Sequence, residues 1–227
     1  MREVNLGLER AAVSVLAGRN GAGKTLLSKI LAGLLDPTEG NIELGETSPT
    51  VRRAQIGYVA QDARPQIIGE TVLDDALFGP RNLGWPENEA QSSARSALAA
   101  CGLEGRDEAL THRLSGGEVR RLSIAGVLAC RPAVFILDEP FANLDRDGVR
   151  AILRIVLAST KDGSATLVVT HELEKVLGIA RSLAILDQGR IVASGRPETV
   201  LKNDVEGYGL RDPLKRISGI RDLQWLD

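Results

Sequence analysis

An eight-residue stretch near the start of the chain, Gly18 to Thr25, constrains the fold most strongly. It reads G-R-N-G-A-G-K-T and fits the pattern G-x-x-x-x-G-K-[ST], in which glycines let successive backbone N–H groups turn toward one anion. The apolar run 13–16 predicts a strand before the loop, and the pattern over 26–35 predicts a helix after it. A strand, loop and helix in this order are typical of a triphosphate site.

The loop side chains have separate expected tasks. Lys24 is expected to reach the β- and γ-phosphates, and the Thr25 hydroxyl is expected to bind Mg²⁺. A surface lysine after a glycine-rich turn is the alternative, and the flanking strand and helix patterns disfavour it. The residues expected around the phosphates are Gly18, Arg19, Asn20, Gly21, Ala22, Gly23, Lys24, Thr25 and Leu26.

Composition excludes several classes of protein. The 227 residues include 28 Lys and Arg against 30 Asp and Glu, and a net charge of −2 offers no overall attraction for nucleic acid. No window approaches the roughly 18 apolar residues of a membrane span, and no signal-peptide core follows Met1. Cys101 and Cys130 lack metal-site spacing and are predicted to be reduced thiols. We therefore expect a cytosolic chain that binds no nucleic acid.

Strand and helix patterns alternate along most of the chain, which predicts one α/β domain over 1–227 with a mostly parallel central sheet. Residues from about 71 to 128 show only helical patterns and are predicted to form a helical subdomain. Residues from about 203 to 227 form a C-terminal extension without a predicted role. The predicted strands are 13–16, 56–60, 134–137, 166–170, 183–187 and 190–193, and the predicted helices include 71–78, 87–101, 116–129, 147–159 and 173–181.

Two acidic residues directly follow the predicted strand 134–137. Because open α/β sheets bind ligands at the carboxyl ends of their strands, Asp138 and Glu139 are expected beside the phosphate loop. One carboxylate can hold Mg²⁺ while its neighbour, which points in another direction, polarises water. An acidic strand end without a chemical role is the alternative, and a phosphate loop in the same chain disfavours it.

A second glycine motif, L-S-G-G-E at 114–118, precedes a predicted amphipathic helix. Ser115 and Glu118 have the spacing of a capping box, which explains the motif as an ordinary helix start. Small residues that leave the first helix amides exposed would also suit an anion. The residues alone leave both interpretations open, and the two are compatible.

Taken in order, these motifs resemble the ATP-binding-cassette (ABC) ATPase family over nearly the whole chain. The resemblance rests on L-S-G-G-E, V-F-I-L-D-E-P at 134–140, A-N-L-D at 142–145 and V-V-T-H at 168–171, with Y-V-A-Q at 58–61 similar to the family's glutamine loop. It implies a P-loop ATPase with a RecA-like, mostly parallel core, a small antiparallel β subdomain and a helical signature subdomain. It also implies ATP and Mg²⁺ as cofactors and a dimer of two ATPase subunits.

The resemblance implies a role for each residue around the phosphate loop. Asp138 would coordinate Mg²⁺ through water, and Glu139 would be the general base. Gln61 would sense Mg²⁺ and the attacking water, His171 would contact the γ-phosphate, and Lys24 would complete the catalytic set. The metal-binding residues would be Thr25, Gln61 and Asp138.

Other residues would act across the dimer. Ser115, Gly116 and Gly117 would bind the γ-phosphate of ATP held by the other subunit, and Asp145 would lie on the loop that crosses to that subunit. His112 falls outside these motifs and is predicted to lie at the surface.

Within that family, the segment after Gln61 resembles the ATPases of energy-coupling-factor (ECF) and cobalt-type importers. An amphipathic helix capped by Thr71 with Asp74 and closed by Gly79-Pro80 is the structural alternative. The resemblance implies a docking groove for coupling helices of a transmembrane T component, with a separate substrate-binding membrane subunit, at the cytoplasmic face of the cell membrane. The matching residues are Gln66, Thr71, Val72, Asp75, Phe78, Gly79, Asn82, Leu83 and Gly84.

Two features depart from the family pattern. Glu118 stands where the signature usually has Gln. Residues 1–18 contain no Tyr, Phe or Trp, although family members carry an aromatic residue there that stacks on adenine, so either this stack is missing or a segment upstream of Met1 supplies it.

Three alternatives to an importer ATPase are a soluble ABC ATPase of DNA repair or translation, an ATPase of another ABC transporter type, and a regulatory subunit that only binds ATP. The sequence names no transported solute and does not distinguish a homodimer from a heterodimer.

Overall fold

A six-stranded sheet forms the centre of the molecule. The computed structural model describes residues 1–44, 55–202, 204–216 and 225. The sheet order is β2-β3-β4-β1-β5-β6, in which only β6 runs antiparallel to its neighbour β5. This confirms the predicted α/β fold with a mostly parallel sheet. The strands are Val13–Ala17 (β1), Ile56–Val59 (β2), Val134–Asp138 (β3), Ala165–Val169 (β4), Ser182–Asp187 (β5) and Arg190–Gly195 (β6).

Helices cover both faces of this sheet. Three of them, α2, α3 and α4, come between β2 and β3 in the sequence and pack on one another. The α-helices of the described residues are Lys24–Leu31 (α1), Val72–Asn82 (α2), Glu87–Ala100 (α3), Gly116–Leu128 (α4), Arg146–Lys161 (α5), Leu173–Val176 (α6) and Pro197–Val200 (α7).

The central strands β1, β3 and β4 are buried along their whole length. Successive strand residues point to opposite faces, so Phe135 and Leu137 join the larger apolar cluster while Ile136 joins a second cluster on the other face. Because a parallel strand covered on both faces buries successive side chains, its residues are apolar one after another, which explains the composition of these segments.

The strand register aligns the carboxyl ends of β1, β3 and β4. Val169 of β4 is paired with Leu16 of β1 on one side and with Asp138 of β3 on the other. The loops that follow these strands therefore leave the sheet at one edge, as expected for a ligand site in an open α/β sheet.

Helix α2 differs from the prediction that Gly79-Pro80 closes it. The Thr71–Asp74 capping box is present, but the helix continues through Pro80 to Asn82. A proline inside a helix costs about 3 kcal/mol because it removes one backbone hydrogen bond and clashes with the preceding turn. Here Pro80 is buried, and a Cβ at Gly79 would lie 2.4 Å from Cys130 Sγ, so close packing against the end of α4 offsets that cost.

The structure also bears on the predictions for the two cysteines, for His112, for membrane spans and for the C-terminal extension. Cys101 and Cys130 are free thiols, and burial raises the pKa of Cys130 to about 11, so both stay protonated at neutral pH. His112 is exposed, as predicted. No helix in the described ranges has the length and apolar character needed to cross a membrane. Most of the predicted C-terminal extension after residue 216 lies outside the described residues.

Candidate active site

The phosphate loop connects the end of β1 to the first residue of α1. Gly23 is the N-cap in the left-handed region (φ 103°), where glycine carries no Cβ penalty, and no side chain caps the helix. The first turn of α1 contains no acidic residue, so its free N–H groups and positive end are available to an anion. A Cβ at Gly18 would lie 2.3 Å from the Leu186 carbonyl oxygen, which explains why glycine begins the loop.

Lys24 is buried at the centre of this loop. Its Nζ donates a hydrogen bond to the Gly18 carbonyl oxygen at 2.8 Å and lies 3.4 Å from Glu139 Oε1. The Lys24 and Glu139 side chains are each only 7% exposed. A buried ammonium needs such partners, and an entering phosphate would replace the carbonyl with a charge-assisted hydrogen bond.

Glu139 is oriented by three side chains. His171 Nδ1 lies 3.0 Å from Oε1, the Thr170 hydroxyl donates to Oε2 at 3.1 Å, and Lys24 approaches Oε1 from the loop. The Glu139 backbone has φ 46°, a left-handed conformation that is uncommon for a residue other than glycine. A carboxylate held in this way beside a phosphate loop can accept a proton from a water molecule.

Asp138 is fully buried and incompletely satisfied. Tyr58 donates its hydroxyl hydrogen to Oδ2 at 3.2 Å, and the Thr25 side chain also forms a hydrogen bond with this carboxylate. Burial raises the pKa of Asp138, and the bonds from Thr25 and Tyr58 oppose that shift. Within the described part of the chain, Oδ1 has no hydrogen-bond partner. An unpaired carboxylate oxygen beside a hydroxyl fits a divalent cation with oxygen ligands.

Replacing Asp138 with Asn is expected to stabilise the nucleotide-free protein at pH 7 while abolishing ATP hydrolysis. Because the folded-state pKa is raised, the charged form costs stability from the ordinary value of 3.8 upward, and the cost is absent at lower pH. We therefore expect Asp138→Asn to have a higher Tm than the parent at pH 7, measured by thermal melting.

The exposed Asp162→Asn variant is the matched control and should melt with the parent. A drop in Tm for Asp138→Asn would show that the hydrogen bonds from Tyr58 and Thr25 outweigh the cost of burying the charge.

The L-S-G-G-E segment at 114–118, here called the signature motif, leads into helix α4 at the surface. The predicted capping box between Ser115 and Glu118 is present, so the structural interpretation is confirmed. Ser115 and Gly116 are exposed, and no hydrogen bond or ion pair among the described residues connects this helix start to the phosphate loop. Asp145 is exposed as well and caps α5 by accepting from Gly148 N at 2.8 Å.

The structure thus brings together Lys24, Thr25, Asp138, Glu139 and His171. Gln61 lies on the loop after β2 with its side chain exposed, whereas 115–117 and Asp145 stand apart from this group.

Sequence reasoning missed two polar groups of the site, the hydroxyls of Tyr58 and Thr170. Each lies in or directly after a strand whose end is at the ligand edge. Their adjacency to the matched motifs was the available signal. The pairing of β2 with β3, which brings Tyr58 to Asp138, is a long-range contact that no local pattern reports.

Comparison with known proteins agrees with this geometry. The sequence model of the ABC transporter family matches residues 1–142. The chain is 36% identical over 218 residues to the energy-coupling factor transporter ATP-binding protein EcfA2 of Streptococcus pneumoniae, covering 90% of this chain and 77% of that protein. It is 35% identical to a putative ABC transporter ATP-binding protein of Pyrococcus horikoshii, covering 94% and 84% respectively.

Solved structures show the same fold. CbiO1 of Clostridium perfringens, part of the ABC transporter complex cbiONQ, superposes with a TM-score of 0.77 at 32% identity, covering 97% of this chain and 90% of that one. A dimeric bacterial ABC transporter cassette gives a TM-score of 0.73 at 25% identity, covering 85% and 88%. With a phosphate loop, two acidic residues and a histidine at one sheet edge, and with these relatives, the chain belongs to the ABC transporter family as an ATP-hydrolysing subunit.

Proposed function

We propose that this chain powers solute import through a transmembrane partner of the ECF or cobalt type. The observation that carries the proposal is an apolar groove beside the glutamine loop, in the segment whose sequence resembles importer ATPases. The names of the relatives EcfA2 and CbiO1 support this transporter type. The protein would lie at the cytoplasmic face of the cell membrane, bound to a T-type component and through it to a substrate-binding subunit.

In the proposed hydrolysis reaction, Glu139 is the general base that takes a proton from the attacking water. Its hydrogen bonds with Thr170 and His171 hold the carboxylate in place before the reaction. Lys24 and the α1 amides stabilise charge on the phosphates, and His171 contacts the γ-phosphate. Because phosphoryl transfer depends mainly on positioning and charge stabilisation, these groups account for most of the catalysis.

Asp138 and Thr25 would hold Mg²⁺, with Gln61 approaching from its loop. The described residues hold no cluster of three or more His, Cys, Asp or Glu side chains suited to a metal. Mg²⁺ takes few protein ligands and keeps water and phosphate oxygens, so one carboxylate and one hydroxyl would suit it. When bound, the ion would neutralise negative charge on the phosphate oxygens.

Two subunits would share each ATP. Ser115, the N-cap of α4, and Gly116 are exposed, and Gly117 is half-buried. The amides of Gly116 and Gly117 at this helix start would suit an anion that comes from outside the subunit. A second subunit could place its ATP against them, and the dimeric cassette among the structural relatives supports this arrangement. Asp145 would lie at the same interface.

The proposed docking groove has a volume of about 330 Å³ and is lined by residues of β2, α2 and α4. Large apolar side chains on its α2 side are exposed to solvent: Ile68 is 62% exposed, Phe78 44% and Leu83 40%. Exposed apolar groups clustered around a groove are typical of a protein interface, and a helix with an apolar face fits such a groove. An importer-like segment at this place has no expected role in a soluble ABC ATPase of DNA repair or translation.

A charged side chain in this groove should uncouple transport from ATP hydrolysis. We expect Phe78→Asp to abolish transport by the reconstituted complex, while ATP hydrolysis by the isolated ATPase stays within about twofold of the parent, because burying an unpaired carboxylate against an apolar helix costs several kcal/mol. Transport and ATPase rates are measured on the same preparations.

Leu34→Asp provides the control, since Leu34 is 59% exposed but lies after α1 and outside the groove. Equal loss of both activities in Phe78→Asp would identify this residue as part of the folded core. Normal transport by Phe78→Asp would remove the groove from the partner interface.

A further inference from the structure

We infer that Gln66 and Arg120 hold the backbone of Ala60 between them, one at its N–H and one at its C=O, and thereby position Gln61, the next residue in the chain. Neither side chain belongs to the set of residues around the phosphates. Both are positioning residues, because they act on the reaction through Gln61. The inference rests on the role proposed for Gln61.

Gln66 binds the open edge of the sheet. Strand β2 is at the end of the sheet order, so among the described residues no strand lies beside the other edge of its backbone. The Gln66 side chain donates from Nε2 to the Tyr58 carbonyl oxygen at 3.1 Å and accepts from Ala60 N at 2.8 Å through Oε1. Its amide thus replaces a peptide group of a neighbouring strand and extends the ordered backbone one residue beyond β2.

Arg120 holds the other polar group of Ala60. Its Nη1 donates to the Ala60 carbonyl oxygen at 3.3 Å, and the residue is buried in α4, about one turn after the helix begins at Gly116. Arginine stays charged in proteins, so its burial is costly without partners. Asp62, in the same loop, adds an electrostatic attraction to this guanidinium.

Ala60 is therefore bound at both its N–H and its C=O by side chains from two different elements. Gln66 also lines the proposed docking groove, and Arg120 belongs to the helix that begins with Ser115 to Gly117. A displacement of either element would move the Ala60 backbone and with it Gln61. Since catalysis is sensitive to displacements of about 1 Å, loosening this backbone should lower the turnover rate.

The test uses Gln66→Glu, which keeps the size of the side chain. At about pH 8 the carboxylate can still accept from Ala60 N, but it has no hydrogen to donate to the Tyr58 carbonyl. We expect kcat for ATP to fall about 10-fold while KM changes less than about twofold.

The control is Gln91→Glu on α3, because the Gln91 amide also bridges two partners, Glu87 and Arg95, far from the loop. Its kcat should match that of the parent. Thermal melting shows that each variant is folded. Unchanged kcat in Gln66→Glu, or a KM that changes as much as kcat, would overturn the inference.

Gln61→Ala separates this inference from the function on which it rests. If Gln61→Ala is impaired and Gln66→Glu is not, Gln61 keeps its proposed role but Gln66 does not position it. A fully active Gln61→Ala would exclude the role of Gln61 and, with it, the positioning role of Gln66 and Arg120.

A double variant tests whether both side chains act on the backbone of the same residue, Ala60. Arg120→Lys keeps the positive charge but not the planar, multiply donating guanidinium. If both act on Ala60, the double variant Gln66→Glu/Arg120→Lys should lose less than the product of the two single losses. If the two fold-losses in kcat multiply, the side chains act independently, which contradicts a shared action on Ala60.

Discussion

Replacing Glu139 with Gln is expected to leave ATP binding intact and to slow hydrolysis by about 10²–10⁴-fold, the usual contribution of a positioned general base. The amide keeps the size of the carboxylate but cannot take a proton from water. The bonds from Thr170 and His171 now orient a group without basicity. Single-turnover phosphate release measures the chemical step, and equilibrium titration with ATP measures binding.

Glu172→Gln is the matched control for this experiment. Glu172 is next to His171, but its carboxylate pairs with Lys175, so the same chemical change should leave hydrolysis unaffected. Turnover by Glu139→Gln within a few-fold of the parent would remove Glu139 from the role of base. Loss of ATP binding would instead show that its pairing with Lys24 maintains the phosphate loop.

Two inactive chains should restore activity when mixed. Lys24→Ala removes the buried ammonium from the phosphate loop, and Ser115→Arg blocks the exposed start of α4. Each variant alone has only defective sites if every site combines Lys24 of one subunit with Ser115 of its partner. In a mixed dimer one site has both defects and the other has none, so an equal mixture should recover about a quarter of the parental rate.

A mixture of Lys24→Ala with Lys24→Met controls for this result, because none of its dimers contains an intact site. Cross-linking or light scattering in ATP verifies that mixed dimers form. If mixed dimers form and remain inactive, the two subunits do not share the site, and each exposed α4 start has another purpose.

Short motifs were predictable because adjacent residues determine them. The glycine positions of the phosphate loop, the capping boxes at Thr71 and Ser115, and the strand before Asp138 all follow from local preferences. The failure at Pro80 has a long-range cause. The close contact of Gly79 with the end of α4 outweighs the local tendency of proline to end a helix.

Local preferences thus predict the phosphate loop, the acidic residues Asp138 and Glu139 at the end of β3 and the alternating α/β order, since backbone conformation and periodicity act over a few residues. Which strands are neighbours, in contrast, depends on tertiary packing. That order places Lys24 against Glu139 and Tyr58 against Asp138, and it leaves β2 at the edge of the sheet, where Gln66 binds Ala60. These pairings depend on burying apolar side chains from distant parts of the chain against one another, and that gain in free energy has no local sequence signal.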